Sequence, residues 1–166
     1  MATQPCPCGR YNDASGECTC SPLQVRRYRG KVSGPLLDRI DLHVDVPAVK
    51  YADLTGPAAG ESSGIIRSRV LGARQIQTKR FDGRKGVYCN ADLGPKAIRE
   101  WCATDRAGEE ILKAAVSKLG LSARAFDRIL KVARTIADLA GAESIRAEHI
   151  AEAVQYRSLD RGAQGG

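Results

Sequence analysis

Between Leu121 and Gly141 the apolar residues fall at 126, 129, 130, 133, 136, 137 and 140. This is the spacing of one face of an amphipathic helix. Ser122 can accept from the first-turn amides and Gly141 can end the last turn, so the pattern predicts a helix from Ser122 to Ala140. The same reading gives helices over about 94–102, 104–119 (stopped by Gly120) and 146–156. Upstream, a helix runs from about Gly64 to Arg80, with Ile66, Val70, Ala73 and Gln77 on one face and Arg and Lys elsewhere; Ser62 or Ser63 caps it. Residues 82–92 read as a Gly-rich loop.

The period changes nearer the N-terminus. Ile40, Leu42, Val44 and Val46 alternate with Asp41, His43 and Asp45, the pattern of a half-buried strand, which Pro47 ends. One strand cannot form a sheet, so its edges require partners. Residues 1–30 carry Pro5, Pro7, Gly9, Asn12, Asp13, Gly16, Ser21 and Pro22 and read as turns, and 33–38 as a tight turn. Residues 50–62 read as a linker and the Gly-rich tail from Gly162 as frayed.

With 43% hydrophobic residues in a chain of 166, a packed core is attainable; with 5% aromatics it must be aliphatic. The net charge of +7 suits polyanions: nucleic acid, nucleotide phosphates and an acidic partner all fit, as does a merely solvated basic surface. No apolar run approaches the roughly 20 residues that span a bilayer, and the N-terminus lacks a signal-peptide pattern. No membrane partner and a cytoplasmic location are therefore expected. Reduced thiols follow, which makes paired cysteines candidates for metal rather than disulfide.

Two Cys-x-Cys pairs, Cys6 with Cys8 and Cys18 with Cys20, stand nine residues apart. Zinc takes four soft ligands at tetrahedral corners, which two short knuckles joined by a turn can supply. Such a site would be structural, because protein fills every corner; four unligated thiols are the alternative. Cys89 and Cys102 read as ordinary thiols. Arg39 closes a turn just before the predicted strand, where its planar fork suits phosphate, although a surface Arg paired with Asp38 or Asp41 fits the pattern better. Arg124 lies in the first turn of the predicted 122–140 helix, opposite the apolar stripe. A cation is unfavourable there, which hints at an external anion, while a solvated Arg is the plainer reading. His43 and His149 are isolated and read as structural. No Gly-x-x-x-x-Gly-Lys-Ser/Thr loop occurs in the chain, nor a hydrophobic strand ending in paired acids, so the sequence contains neither a Walker A nor a Walker B element.

Longer runs are more specific. Pro5-Cys-Pro-Cys-Gly9, Cys18-Thr-Cys20, Arg27-Tyr28, Ser33-Gly-Pro-Leu-Leu-Asp-Arg39-Ile-Asp-Leu-His-Val, Ala73-Arg-Gln-Ile-Gln77, Leu121-Ser-Ala-Arg124 and His149-Ile-Ala-Glu-Ala-Val-Gln-Tyr-Arg-Ser-Leu-Asp-Arg161 occur in this order. Together they resemble the C-terminal part of the magnesium-chelatase-like AAA+ ATPases of the YifB or ComM family, over nearly the whole chain. The resemblance implies that Arg39 is an arginine finger acting on the nucleotide of a neighbouring subunit. It implies that Arg124 is the sensor-2 arginine of a helical lid, binding nucleotide in its own subunit. Both roles suit phosphoryl transfer, where a positioned Arg stabilises developing charge. The family places an Asn as sensor 1 where this chain has Gln4, one methylene longer.

The resulting expectation is a mainly α fold, in which a four-helix AAA+ lid follows a cysteine-knuckle loop and a remnant of the α/β AAA+ core. The divisions are 1–50 for the end of the ATPase core, 51–92 for a linker and helix, 93–161 for the lid and 162–166 for a disordered tail. The resemblance further implies ATP and Mg as cofactors of a complete protein, in a hexameric ring acting as a DNA branch-migration helicase. This chain would need the upstream ATPase part and would not hydrolyse ATP alone. A stand-alone basic zinc-knuckle module that binds nucleic acid is the alternative, weakened by the scarcity of aromatics: Trp101 is the only Trp.

Overall fold

The computed structural model describes residues 2–13, 16–47, 49, 51, 55, 56 and 60–157. Among these there are seven α-helices and no paired strand. They are α1 (Pro22–Arg29), α2 (Gly34–Leu37), α3 (Ser63–Arg80), α4 (Pro95–Trp101), α5 (Arg106–Leu119), α6 (Ala123–Leu139) and α7 (Ala147–Gln155), with a 3-10 turn at Asn90–Asp92. The mainly α expectation and the four C-terminal helices are borne out. The linker of 50–62 and the tail from 162 lie mostly outside the described residues.

The caps explain most of the boundaries. Ser122 Oγ accepts from the Ala125 amide at 3.1 Å, Asp105 Oδ1 from Gly108 at 2.7 Å and Ser62 Oγ from Ile65 at 3.4 Å. Each such cap is worth about 1 kcal/mol. Gly120 ends α5 in the left-handed region at φ 58°, where a side chain would be strained. The helix α1 corrects the reading of residues 1–30 as turns alone. Ser21 and Gln24 form a reciprocal capping box, and Pro22 sits at the first helical position, where its missing N–H costs nothing.

At the centre lies α6, packed against α3, α4, α7 and the 3-10 turn, while α5 packs on α7. Ile129, Leu130, Ala133 and Ala137 of α6 join Phe81, Leu93, Ile98, Leu112, Ile145 and Ile150 in one largely aliphatic core. Deleting a side chain such as Ile129 or Ile150 from that core costs about 2–5 kcal/mol. The predicted apolar face of α3 is buried only at Ala73 and Gln77; Ile66 and Val70 are exposed. The buried half of α3 belongs physically to the helical unit, because its last residue reaches into α6. Arg80 makes a two-pronged ion pair with Asp138, at 2.8 and 2.5 Å. Asp138 also accepts from Asn90 Nδ2 at 2.8 Å and Arg134 Nε at 3.1 Å. Burial alone would push the Asp138 carboxyl up, but Arg80, Asn90 and Arg134 hold it below the usual carboxylate range.

The segment 40–46 overturns the strand expectation. It pairs with no strand among the described residues, and the apolar side of its alternation is not covered; His43 is its one buried residue. Leu42, Val44 and Val46 are exposed. The reason is its neighbour: the segment lies against the end of α7, with the His43 amide donating to the Tyr156 carbonyl at 2.8 Å. An alternating pattern fixes which residues share a side, but the packing partner decides which side is covered.

Candidate nucleotide-sensing arginines and cysteine cluster

Arg39 follows α2 and is exposed; Nη1 lies 3.5 Å from the Pro35 carbonyl. Arg124 is the second residue of α6, also exposed, one position before buried Ala125. Both guanidinium groups are therefore open to a ligand. The turn that carries Arg39 is fastened to the helix that carries Arg124. Ser122, the α6 cap, donates its hydroxyl proton to Asp38 Oδ2 at 2.9 Å. Asp41 pairs with Arg128, one turn further along α6. From beyond α7, Arg157 donates to the Ile40 carbonyl and places Nη2 3.7 Å from Asp38 Oδ1. Asp38 and Asp41 are thus both engaged with residues of α6 or of the segment just after α7. Neither forms the pair with Arg39 that the bare pattern favoured, which leaves that cation available.

Sequence reading did not single out Arg157, Arg128 or Ser122 as members of this junction. Arg157 is among the most deeply buried side chains of the chain, at 1% exposure. A charged residue beyond the last helix gives no periodic signal; only its partner, 117 positions away, makes it meaningful.

The four paired cysteines converge. Sγ atoms of Cys6, Cys8, Cys18 and Cys20 all lie within 4.8 Å of one another. Cys6 and Cys8 are 3.3 Å apart, Cys6 and Cys18 3.8 Å, and Cys8 and Cys18 3.6 Å. A tetrahedral zinc with bonds of about 2.3 Å requires sulfur–sulfur edges of about 3.8 Å, so the donor set fits. The turn that closes the first knuckle uses Gly9 at φ 79°, with its amide donating to the Cys6 carbonyl at 3.0 Å. The Arg10 backbone amide, with Cys6, brings the Cys8 thiol down to about 6. Cys20 is favoured as thiolate by the Cys8 amide, yet burial and the Cys8 and Cys6 sulfurs push it up to about 12. Four thiols this close cannot all ionise without a cation between them. Cys102, by contrast, is buried in the helical core and pushed up to about 11 by that burial. Cys89 is half-buried, its thiol 3.4 Å from Asp92 Oδ2.

Gln4 is exposed and borders the first knuckle, its Oε1 3.2 Å from where a Cβ on Gly9 would sit. The knuckle is tied to α1 through Arg29, which donates to the Pro5 carbonyl at 3.1 Å and stacks over Tyr11 at 4.8 Å. The structure thus groups Gln4 with the cysteines and Arg39 with Arg124. His149 Nδ1 accepts from the Arg146 amide at 3.0 Å, a capping role at the start of α7.

The family model for the C-terminal part of magnesium chelatase subunit ChlI matches residues 60–157, and the model for magnesium chelatase subunit ChlI matches residues 1–54. The chain is 41% identical over 161 residues to competence protein ComM of Haemophilus influenzae, covering 96% of this chain and 30% of that protein. It is 40% identical over 161 residues to the uncharacterised protein YifB of Escherichia coli, with the same coverage. The chain spans about a third of the length of these relatives. No helix among the described residues is long and apolar enough to cross a membrane. With its helical unit matched end to end and its N-terminal part matched by the companion model, the chain belongs to the magnesium chelatase ChlI-like family.

Proposed function

We propose that this chain is the finger-and-lid portion of a ring ATPase of the magnesium-chelatase-like, ComM type. The observation that carries the reading is the junction between the Arg39 turn and the N-terminus of α6. Two exposed arginines are presented on one scaffold, with the neighbouring acids turned toward other partners. In this reading Arg39 projects to a nucleotide held by the adjacent subunit, and Arg124 to a nucleotide held by its own. Each guanidinium supplies positive charge where phosphoryl transfer concentrates negative charge, a contribution worth about 10³–10⁵ in rate for an arginine finger. The sequence holds no Walker A loop, so these side chains cannot cradle Mg–ATP by themselves. They modulate a nucleotide bound elsewhere, and the chain alone is inactive.

Around this pair, residues 1–50 end the ATPase core, 51–92 connect and 93–161 form the lid, with α3 completing it. Gln4 occupies the sensor-1 position. Cys6, Cys8, Cys18 and Cys20 hold a zinc ion that crosslinks a segment with little core of its own. The whole assembly is a ring, a hexamer in this reading, that acts on DNA in the cytoplasm.

The test is ATP hydrolysis by the isolated chain and by a chimera in which the part of the Haemophilus relative outside the match precedes it. The expected result is no turnover by the chain alone and turnover by the chimera. Hydrolysis by the isolated chain would overturn the reading. For the alternative nucleic-acid module, Arg26, Arg27 and Lys31, all exposed on or just after α1, provide a specific feature. Tight, salt-dependent DNA binding by the isolated chain would favour it.

A further inference from the structure

We propose that Arg157 is a positioning residue that latches the Arg39 turn onto the lid, so that the two candidate nucleotide-sensing arginines move as one body. This deepens the finger-and-lid reading and rests on it for its catalytic consequence.

A guanidinium at 1% exposure must be paired to be tolerated, because an unpaired buried charge is strongly destabilising. Arg157 meets this demand in part by reaching across the chain to the Ile40 carbonyl and the Asp38 carboxylate. The residue before Arg157 in sequence adds a backbone bond, the Tyr156 carbonyl accepting from His43. On the other flank, Ser122 and Arg128 of α6 engage Asp38 and Asp41. The turn 38–43 is therefore gripped from α6 and from the segment just after α7, and both grips meet at Asp38, the residue next to Arg39.

The geometry gives Asp38 a double duty. The hydroxyl that caps α6, two residues before Arg124, also donates to this carboxylate. Any shift of the α6 N-terminus on nucleotide contact is transmitted through Asp38 to the finger turn. The Arg157 guanidinium holds that carboxylate and the Ile40 carbonyl to the same helical unit, so the turn follows α6 as part of it. A bistable element is not required: one rigid junction suffices to keep the two arginines in register.

Hydrogen–deuterium exchange on the 166-residue chain tests the latch without nucleotide. In Arg157→Gln, amides of residues 40–43 should exchange about tenfold faster or more, while core amides of α5 and α6 change little. Arg157→Lys, which keeps charge but loses the planar fork, should be intermediate, and Asp38→Asn should reproduce the effect from the other side. Asp38→Asn also keeps the test alive if Arg157→Gln fails to fold. Unchanged exchange at 40–43 in a folded Asp38→Asn variant would overturn the proposal. In the ATPase chimera, Asp38→Asn should lower kcat about 10–100-fold with KM for ATP within twofold, as expected for a misplaced catalytic group. A faster-exchanging turn with unchanged kcat would overturn the catalytic part. A parent chimera that does not turn over ATP would count against the finger-and-lid reading, leaving the latch itself to be decided by exchange.

Discussion

Asp138→Asn isolates the energetics of the helical unit. The Asp138 side chain is fully buried, and its ion-pair partners Arg80 and Arg134 are 9% and 3% exposed. The substitution preserves shape but removes the negative charge that these two guanidinium groups share, and it turns an amide donor toward Arg80 or Asn90. Breaking a buried pair by removing one partner costs about 3–5 kcal/mol, a large part of the roughly 5–15 kcal/mol available to a domain. With a urea slope of about 1.5–2 kcal/mol/M, the midpoint followed by far-UV circular dichroism should fall by about 2 M. The pH dependence gives a second reading. The folded carboxyl titrates below its unfolded value, so its contribution is fully present above the unfolded value near pH 4 and is lost as the pH falls through the folded one. The parent should therefore lose stability on acidification below about pH 4, and Asp138→Asn should lose less over that interval. A midpoint shift under about 0.5 M at neutral pH would refute the view that this network anchors α3 to α6.

Three further outcomes follow from the structure. Chain purified under reducing conditions should carry close to one equivalent of zinc by atomic emission, and Cys8→Ser or Cys18→Ser should lower it sharply; a metal-free parent that refuses added zinc would contradict the site. Gly108→Ala would place a Cβ 2.2 Å from Thr104 Oγ1, which bonds the Ile145 carbonyl, and should cost about 1–3 kcal/mol despite the better helix former; a rise in Tm would contradict it. Ile129→Ala should lower stability by about 2–5 kcal/mol in chemical denaturation, and a loss below about 1 kcal/mol would show a looser core than the packing indicates.

The helical unit was legible because its information is local. The α6 stripe, Ser122 and Gly120 each act within a few residues, so period and caps suffice to locate the helices. Even α1 was marked, by Ser21, Pro22 and Gln24, but its short length and the surrounding Pro and Gly hid it. The segment 40–46 shows the limit of pattern. Its alternation was real, yet which side is buried depends on α7, more than a hundred residues later. The same holds for the junction: Arg39 and Arg124 could be named from motifs, whereas Asp38, Ser122, Arg128 and Arg157 acquire meaning only once the chain has folded back. The cysteines lie between these cases, since spacing suggested a cluster and the fold brought the four sulfurs within 4.8 Å of one another.

The most direct test of the central claim is subunit mixing in the ATPase chimera. One chimera carries Arg39→Ala and the other a disabled P-loop. Each alone should be inactive. Mixed rings should regain hydrolysis, because an intact Arg39 on one subunit then faces an intact P-loop on its neighbour. An Arg39→Ala chimera that hydrolyses ATP at the parent rate, or mixtures that regain nothing while the parent is active, would contradict a finger acting between subunits.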